Sequence, residues 1–143
     1  MKIQVVANTE EMAGVRAALR SLAAVIARWT TNYEEFKTPI PGLSFYHHDT
    51  PTEPRLGLHE PSICLIAQGA KKVHLENDTF VYDTNNYLLA SVHLPTTYQV
   101  ISASPDEPYL GLLLKFDMRE LSQLILPQLS LCEPAADVAI ISI

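Results

Sequence analysis

Apolar residues recur at Met12, Val15, Leu19, Leu22, Ile26 and Trp29, in steps of 3, 4, 3, 4 and 3. That spacing draws one stripe along an α-helix, and it predicts a helix from about Glu10 to Trp29. Thr9 suits the N-cap, and Glu10 and Glu11 suit the positive helix end. Arg16, Arg20 and Arg28 lie off the stripe. A stripe of this length fits two roles. Either the helix lies on its own domain, or it pairs with the same helix of a second subunit, with Val15, Leu19, Leu22 and Ile26 as the candidate dimerisation residues.

The period changes after the helix. "TTNYEEFKTPIPGL" reads as a connector, because Pro39 and Pro41 oppose regular structure. From Leu43 to Phe116 the chain reads as short strands: Leu43–His48, Ser62–Ala67, Lys71–Leu75, Thr79–Tyr82, Tyr87–Leu94, Tyr98–Ser102 and Leu110–Phe116. Segments rich in Pro, Gly, Asn or Asp separate them, and Asn77-Asp78 is the expected tip of a hairpin. This spacing predicts a closed or sandwiched all-β domain. In the last strand Leu110, Leu112, Leu114 and Phe116 share one face, the expected core face. Tyr109, Gly111, Leu113 and Lys115 share the other. The strand Ser62–Ala67 is apolar on both faces and so predicts cover on both sides. Both parities between Tyr87 and Leu94 hold apolar residues, which leaves the inward face there open. A second helix is expected from Asp117, capped by Asp117 with Glu120 in support, and stopped by Pro127. The apolar end "ADVAIISI" reads as a cut.

Length and charge narrow the classes. A chain of 143 residues suits one domain and needs no metal or disulfide staple. The formal net charge of −6 argues against direct nucleic-acid binding, which relies on clustered Lys and Arg. The adjacent pair Lys71-Lys72 reads as a solvated turn. Cys64 and Cys132 fit no metal or redox spacing, and such sparse cysteine fits a reducing cytoplasm. Cys64, inside an apolar run, reads as a small buried hydrophobe, and Cys132 as a loop residue. No signal-peptide core and no membrane-spanning run is evident.

Candidate chemistry is thin. His47 and His48 are adjacent, so on a strand only one of them points inward. His59 precedes Pro61 in an expected loop, and His74 and His93 are isolated. No metal-ligand spacing, nucleophile elbow or phosphate loop occurs, so neither a catalytic residue, a metal nor a cofactor is expected. What remains is a small β-domain with mixed side chains in or beside its strands. Tyr46, His48, Cys64, His93 and Tyr98 are the candidate lining of a small-ligand cavity.

Four segments carry a resemblance. "TPIPGLSFYHHDTPTEP", "EPSICLIAQGAKKV", "YDTNNYLLASVHLP" and "SPDEPYLGLLLKFD" follow in close order. Together they resemble the N-terminal regulatory domain of AraC-type bacterial transcriptional regulators, over about Trp29 to Leu126. The resemblance implies a mainly β, cupin-like barrel (a double-stranded β-helix) with an N-terminal and a C-terminal helix. It divides the chain into a helix and connector over 1–37 and a barrel over 38–143. It also implies a small-molecule effector, a homodimer, and DNA contact only through a C-terminal helix-turn-helix domain that this sequence does not contain. A metal-dependent cupin enzyme and a ligand-free interaction domain are the alternatives left open.

Overall fold

The computed structural model describes residues 3–6, 12–117, 119–120, 123 and 138–142. Their elements are β1 (Ile3–Val6), α1 (Met12–Trp29), β2 (Glu35–Lys37), β3 (Leu43–His48), β4 (Arg55–His59), β5 (Ser62–Gln68), β6 (Ala70–Leu75), β7 (Asp78–Asp83), β8 (Asn86–Ala90), β9 (Leu94–Ser102), β10 (Tyr109–Lys115) and β11 (Val138–Ser142). They form a seven-stranded sheet in the order β1-β11-β8-β5-β10-β3-β2 and a four-stranded sheet in the order β4-β9-β6-β7. Pairing is antiparallel throughout, except that β1 runs parallel to β11. No described helix is long and apolar enough to cross a membrane.

The mainly β class holds, but a closed barrel does not form among the described residues. Two separate sheets face each other instead, each with free edges. The chain passes between them at Gly69, whose φ of +93° is a conformation that side chains with a Cβ resist. A Cβ there would also lie 2.6 Å from the Ser102 carbonyl oxygen. This single residue lets β5 end in one sheet and β6 begin in the other.

Alternation places the layers. Cys64 and Ile66 of β5, Leu88 and Ala90 of β8 and Tyr109 of β10 meet Val73 and Leu75 of β6, Tyr82 of β7 and Val100 of β9 between the sheets. On the opposite face of the larger sheet, Ala23 and Ile26 of α1 pack on Phe45, Ala67 and Leu110. Each large apolar side chain fully buried in this way stabilises the fold by about 1.5–3 kcal/mol. Strand β5 is therefore covered on both sides, as its composition requires. Leu88 and Ala90 settle the inward face of β8.

Several expectations need correction. The expected core set on β10 faces α1 at Leu110 and Leu112, but Tyr109 and Gly111 are buried as well, Tyr109 by the second sheet and Gly111 by the Tyr109 ring. The connector contains strand β2, which pairs with β3 before the prolines begin. Strand β4 was not expected. It is an edge strand with Leu56 and Leu58 turned outward, so its apolar pattern does not mark a buried face. Strand β9 starts at Leu94 and tolerates Pro95 opposite Leu58. The β6–β7 turn is Glu76-Asn77, because Leu75 pairs with Asp78, and Glu76 takes the positive φ of +51°. Part of the apolar run "ADVAIISI" forms β11, inserted between β1 and β8. The Asp117 cap is present, its carboxylate accepting from the Arg119 backbone N–H at 2.9 Å. Most of the expected C-terminal helix, together with Cys132 and the Thr9–Glu11 start of α1, lies outside the described residues.

Candidate functional site

Between the two sheets lies a cavity of about 360 Å³, within the size range of small-molecule sites. The larger sheet contributes Tyr46 and His48 of β3, Cys64 of β5, and Tyr109 and Leu113 of β10. The smaller sheet contributes Lys71 of β6, with Thr96, Tyr98 and Val100 of β9 and Arg55, Gly57 and His59 of β4. On β9 and β3 these residues recur every second position, so each of those strands offers one face to the cavity, while β4 also places Leu58 in the lining. His48 and His47 split as their adjacency requires. His48 faces the cavity beside Tyr109, with ring centroids 5.9 Å apart, while His47 lies under α1, 3.0 Å from the Thr30 hydroxyl.

Space for the rings is made locally. A Cβ on Gly57 would lie 2.8 Å from Cε1 of Tyr98. Only glycine at this point of β4 lets the Tyr98 ring lie flat across the strand.

Polar groups reach the cavity interior from the smaller sheet. Lys71 does not lie in a solvated turn: it alternates with Val73 and Leu75 on β6 and therefore enters the interior. Its Nζ stands 4.7 Å from the centroid of the Tyr98 ring, a favourable cation–π distance. Among the described residues no carboxylate lies within ion-pair distance of it. Burial holds the Lys71 pKa below its ordinary value and holds the Cys64 thiol above its own. Burial also lowers His48 and takes His59 down to about 4, so His59 is neutral at neutral pH. Two buried polar atoms on this wall, Nε2 of His59 and Oγ1 of Thr96, have no hydrogen-bond partner. At the exposed mouth, the Tyr46 hydroxyl donates to Glu35 Oε1 at 3.2 Å. Burial and then Glu35 push its pKa up. Arg55 stands 3.9 Å from Glu34, an exposed pair that contributes little to stability.

Of the residues singled out from sequence, Tyr46, His48, Cys64 and Tyr98 come together in this cavity. His93 does not join them. It is exposed in the connector between β8 and β9, because β8 ends at Ala90 rather than continuing to Leu94. Sequence reasoning missed Lys71, Thr96, His59, Arg55 and Tyr109. Lys71 had a usable signal, since it shares a strand parity with Val73 and Leu75. His59 had none, because β4 itself was not foreseen. The helix stripe also finds its place: Leu19 and Ile26 are buried and Leu22 packs beside them on the chain's own sheet, with Val15 half-exposed. Among the described residues, no group of three His, Cys, Asp or Glu side chains is placed to hold a metal ion.

Comparison with known proteins follows from this geometry. Solved structures with a related arrangement include ToxT from Vibrio cholerae, at 13% identity and a TM-score of 0.44 over 69% of this chain and 42% of that one. ToxT from Vibrio cholerae O395 bound to (E)-4-(8-methylnaphthalen-1-yl)but-3-enoic acid matches at 14% identity and 0.43, over 67% and 41%. KdgF from Halomonas sp. matches at 17% identity and 0.33, over 59% of this chain and 90% of that one. The chain thus spans about two fifths of the length of the ToxT chains. No curated protein sequence matches it. The family described as AraC-type transcriptional regulator N-terminus matches residues 39–141. That match takes in β3 to β10 and most of β11, and with them every wall of the cavity except the Glu34–Glu35 rim, so the chain belongs to the N-terminal family of AraC-type transcriptional regulators.

Proposed function

We propose that this chain is the effector-sensing module of an AraC-type regulator, binding a small molecule between its two sheets. The observation that carries this reading is the cavity itself, about 360 Å³ between the sheets, whose aromatic and aliphatic side chains are mixed with inward polar groups able to fix a ligand's orientation. Ligand binding biases how two subunits, and the DNA-reading segments attached to them, are held. The bias is only as large as the ligand's preference for one arrangement over the other. DNA contact belongs to a C-terminal helix-turn-helix domain of the full regulator, in keeping with the acidic charge of this chain. Burial keeps the Cys64 thiol protonated, which favours binding over nucleophilic catalysis. Homodimerisation belongs to the same reading. Because Leu19 and Ile26 face the chain's own sheet, a partner subunit meets the exposed flank of α1. Sedimentation at high concentration is expected to show a dimer, and a strict monomer removes that half of the reading.

The test is thermal unfolding of the chain against a chemically diverse panel of small acids, amides, sugars and amines. A ligand at a hundred times its Kd adds about 2.7 kcal/mol of stability, and a Tm rise of about 10 °C is expected. The rise should vanish in Val100→Trp or Leu113→Trp, either of which fills the cavity. If no compound shifts Tm, or if the shift persists undiminished in a folded cavity-filled variant, the reading fails.

A further inference from the structure

We propose that the effector is an organic anion whose acidic head pairs with Lys71 and is hydrogen-bonded by Thr96 and His59, with an apolar body along Tyr46, Tyr109 and Leu113. This rests on the effector-sensing reading above and names the ligand class for the same cavity.

Three observations converge on one wall. Lys71 starts opposite Val100 of β9 and reaches along that strand to lie over Tyr98. The next inward residue in that direction is Thr96, whose hydroxyl is buried and unpartnered, with the residue only 3% exposed. Thr96 stands opposite Gly57, and His59 is the next residue of β4 on that face, its Nε2 likewise buried and unpartnered. Most buried polar groups in folded proteins have a partner; of the three described side-chain atoms that have none, the Tyr82 hydroxyl lies outside the cavity lining, and the other two are Thr96 Oγ1 and His59 Nε2. Two orphans beside an unpaired ammonium therefore describe a complement to something with acceptors and negative charge. A carboxylate supplies both, in the charge-assisted form that is stronger than a neutral hydrogen bond. The ammonium is an expensive group to keep partly buried without a counter-charge, and its lowered pKa has that cause.

The remaining charged side chains of the lining are Glu34, Glu35 and Arg55, at the mouth. Glu34 and Glu35 are exposed at the mouth, engaged by Arg55 and by the Tyr46 hydroxyl. The two carboxylates disfavour an anion at the rim, so the acidic head belongs at the interior cation, Lys71. Cys64 and His48 add no negative charge, since burial keeps the thiol protonated and the imidazole neutral.

The test is titration calorimetry of the chain with benzoate, phenylacetate and 4-phenylbutyrate, each beside its primary amide, which matches it in shape but carries no charge. At least one acid is expected to bind about tenfold or more tightly than its amide. In Lys71→Met the acid should weaken to the level of the amide while the amide is unchanged, and Lys71→Arg should keep the preference. Lys71→Met removes a partly buried charge and is expected to melt at or above the wild-type temperature; Lys71→Gln serves as the second variant. If amides bind as well as acids, or if the preference survives Lys71→Met, the anionic assignment is overturned while the binding itself keeps the sensing role. If no acid binds at millimolar concentration, the assignment is overturned as well, and the wider panel with its cavity-filled variants decides the sensing role separately.

Discussion

The two faces of the seven-stranded sheet are made by the same strands and differ in what they bury. On β3, Phe45 turns toward α1 and Tyr46 toward the cavity. On β10, Leu110 turns toward α1 and Tyr109 toward the cavity. The helix side is dry and apolar, built from Ala23, Ile26, Phe45, Ala67 and Leu110. The cavity side carries the hydroxyls of Tyr46 and Tyr109, the imidazole of His48 and the thiol of Cys64, and it faces the Lys71 ammonium and the partnerless Thr96 and His59 atoms of the smaller sheet. A protein that needed only stability would make both faces alike, since an unpaired buried polar atom costs about 1–3 kcal/mol. The difference marks one face as scaffold and the other as receptor, and alternation along each strand lets a single backbone serve both.

The contrast is open to attack from the scaffold side first. Phe45→Ala opens a void under α1 and is expected to cost about 3–5 kcal/mol of unfolding free energy. Ligand affinity should be unchanged as long as the variant is folded. Denaturant unfolding with and without ligand checks both halves, and a large loss of affinity with little loss of stability would break the division of labour.

Next in size is a pH effect that belongs to the receptor side. His59 titrates near 4 when folded and near 6.5 when unfolded. As pH falls through 6.5 the unfolded chain takes up a proton that the folded chain refuses until about 4. Stability is therefore fully present above pH 6.5 and declines between 6.5 and 4, by up to about 3 kcal/mol. His48, lowered for the same reason, adds in the same direction. Unfolding measured from pH 7 to 4 should show this decline, and His59→Gln should flatten it. An equal slope in the variant would remove His59 as its source.

The smallest effect sharpens the boundary of the scaffold. The Thr30 hydroxyl donates to the Ile26 carbonyl oxygen at 2.6 Å and stands 3.0 Å from His47 Nδ1, tying the end of α1 to β3. Thr30→Val keeps the shape and removes the link, at an expected cost of about 1 kcal/mol. Chemical denaturation resolves a change of this size. A neutral result would show that packing alone seats the end of the helix.

Reading faces from sequence succeeds where one side of an element is wet. The α1 stripe and the doubly apolar β5 are of that kind, since charge and apolarity then separate by position. It fails at β10, where the face opposite the expected core face is buried too: Tyr109 lies between the sheets and its ring covers Gly111. It fails again at Lys71, whose charge suggested exposure while its parity with Val73 and Leu75 pointed inward. Four of the five proposed lining residues meet in the cavity, because Tyr46, His48, Cys64 and Tyr98 sit on strands whose periods were correct. His93 falls outside because the end of β8 was placed too late.

The sequence by itself determined the helix, most of the strands and the net negative charge, because these follow from local spacing and from counting charge. Only the tertiary structure decided that β4 exists as an edge strand, that β11 enters between β1 and β8, and that an unpaired lysine faces two unsatisfied polar groups. Those outcomes depend on which strand lies opposite which across two sheets. Alternation states that neighbouring side chains point to different faces, but not whether a given face meets water, a helix or another sheet.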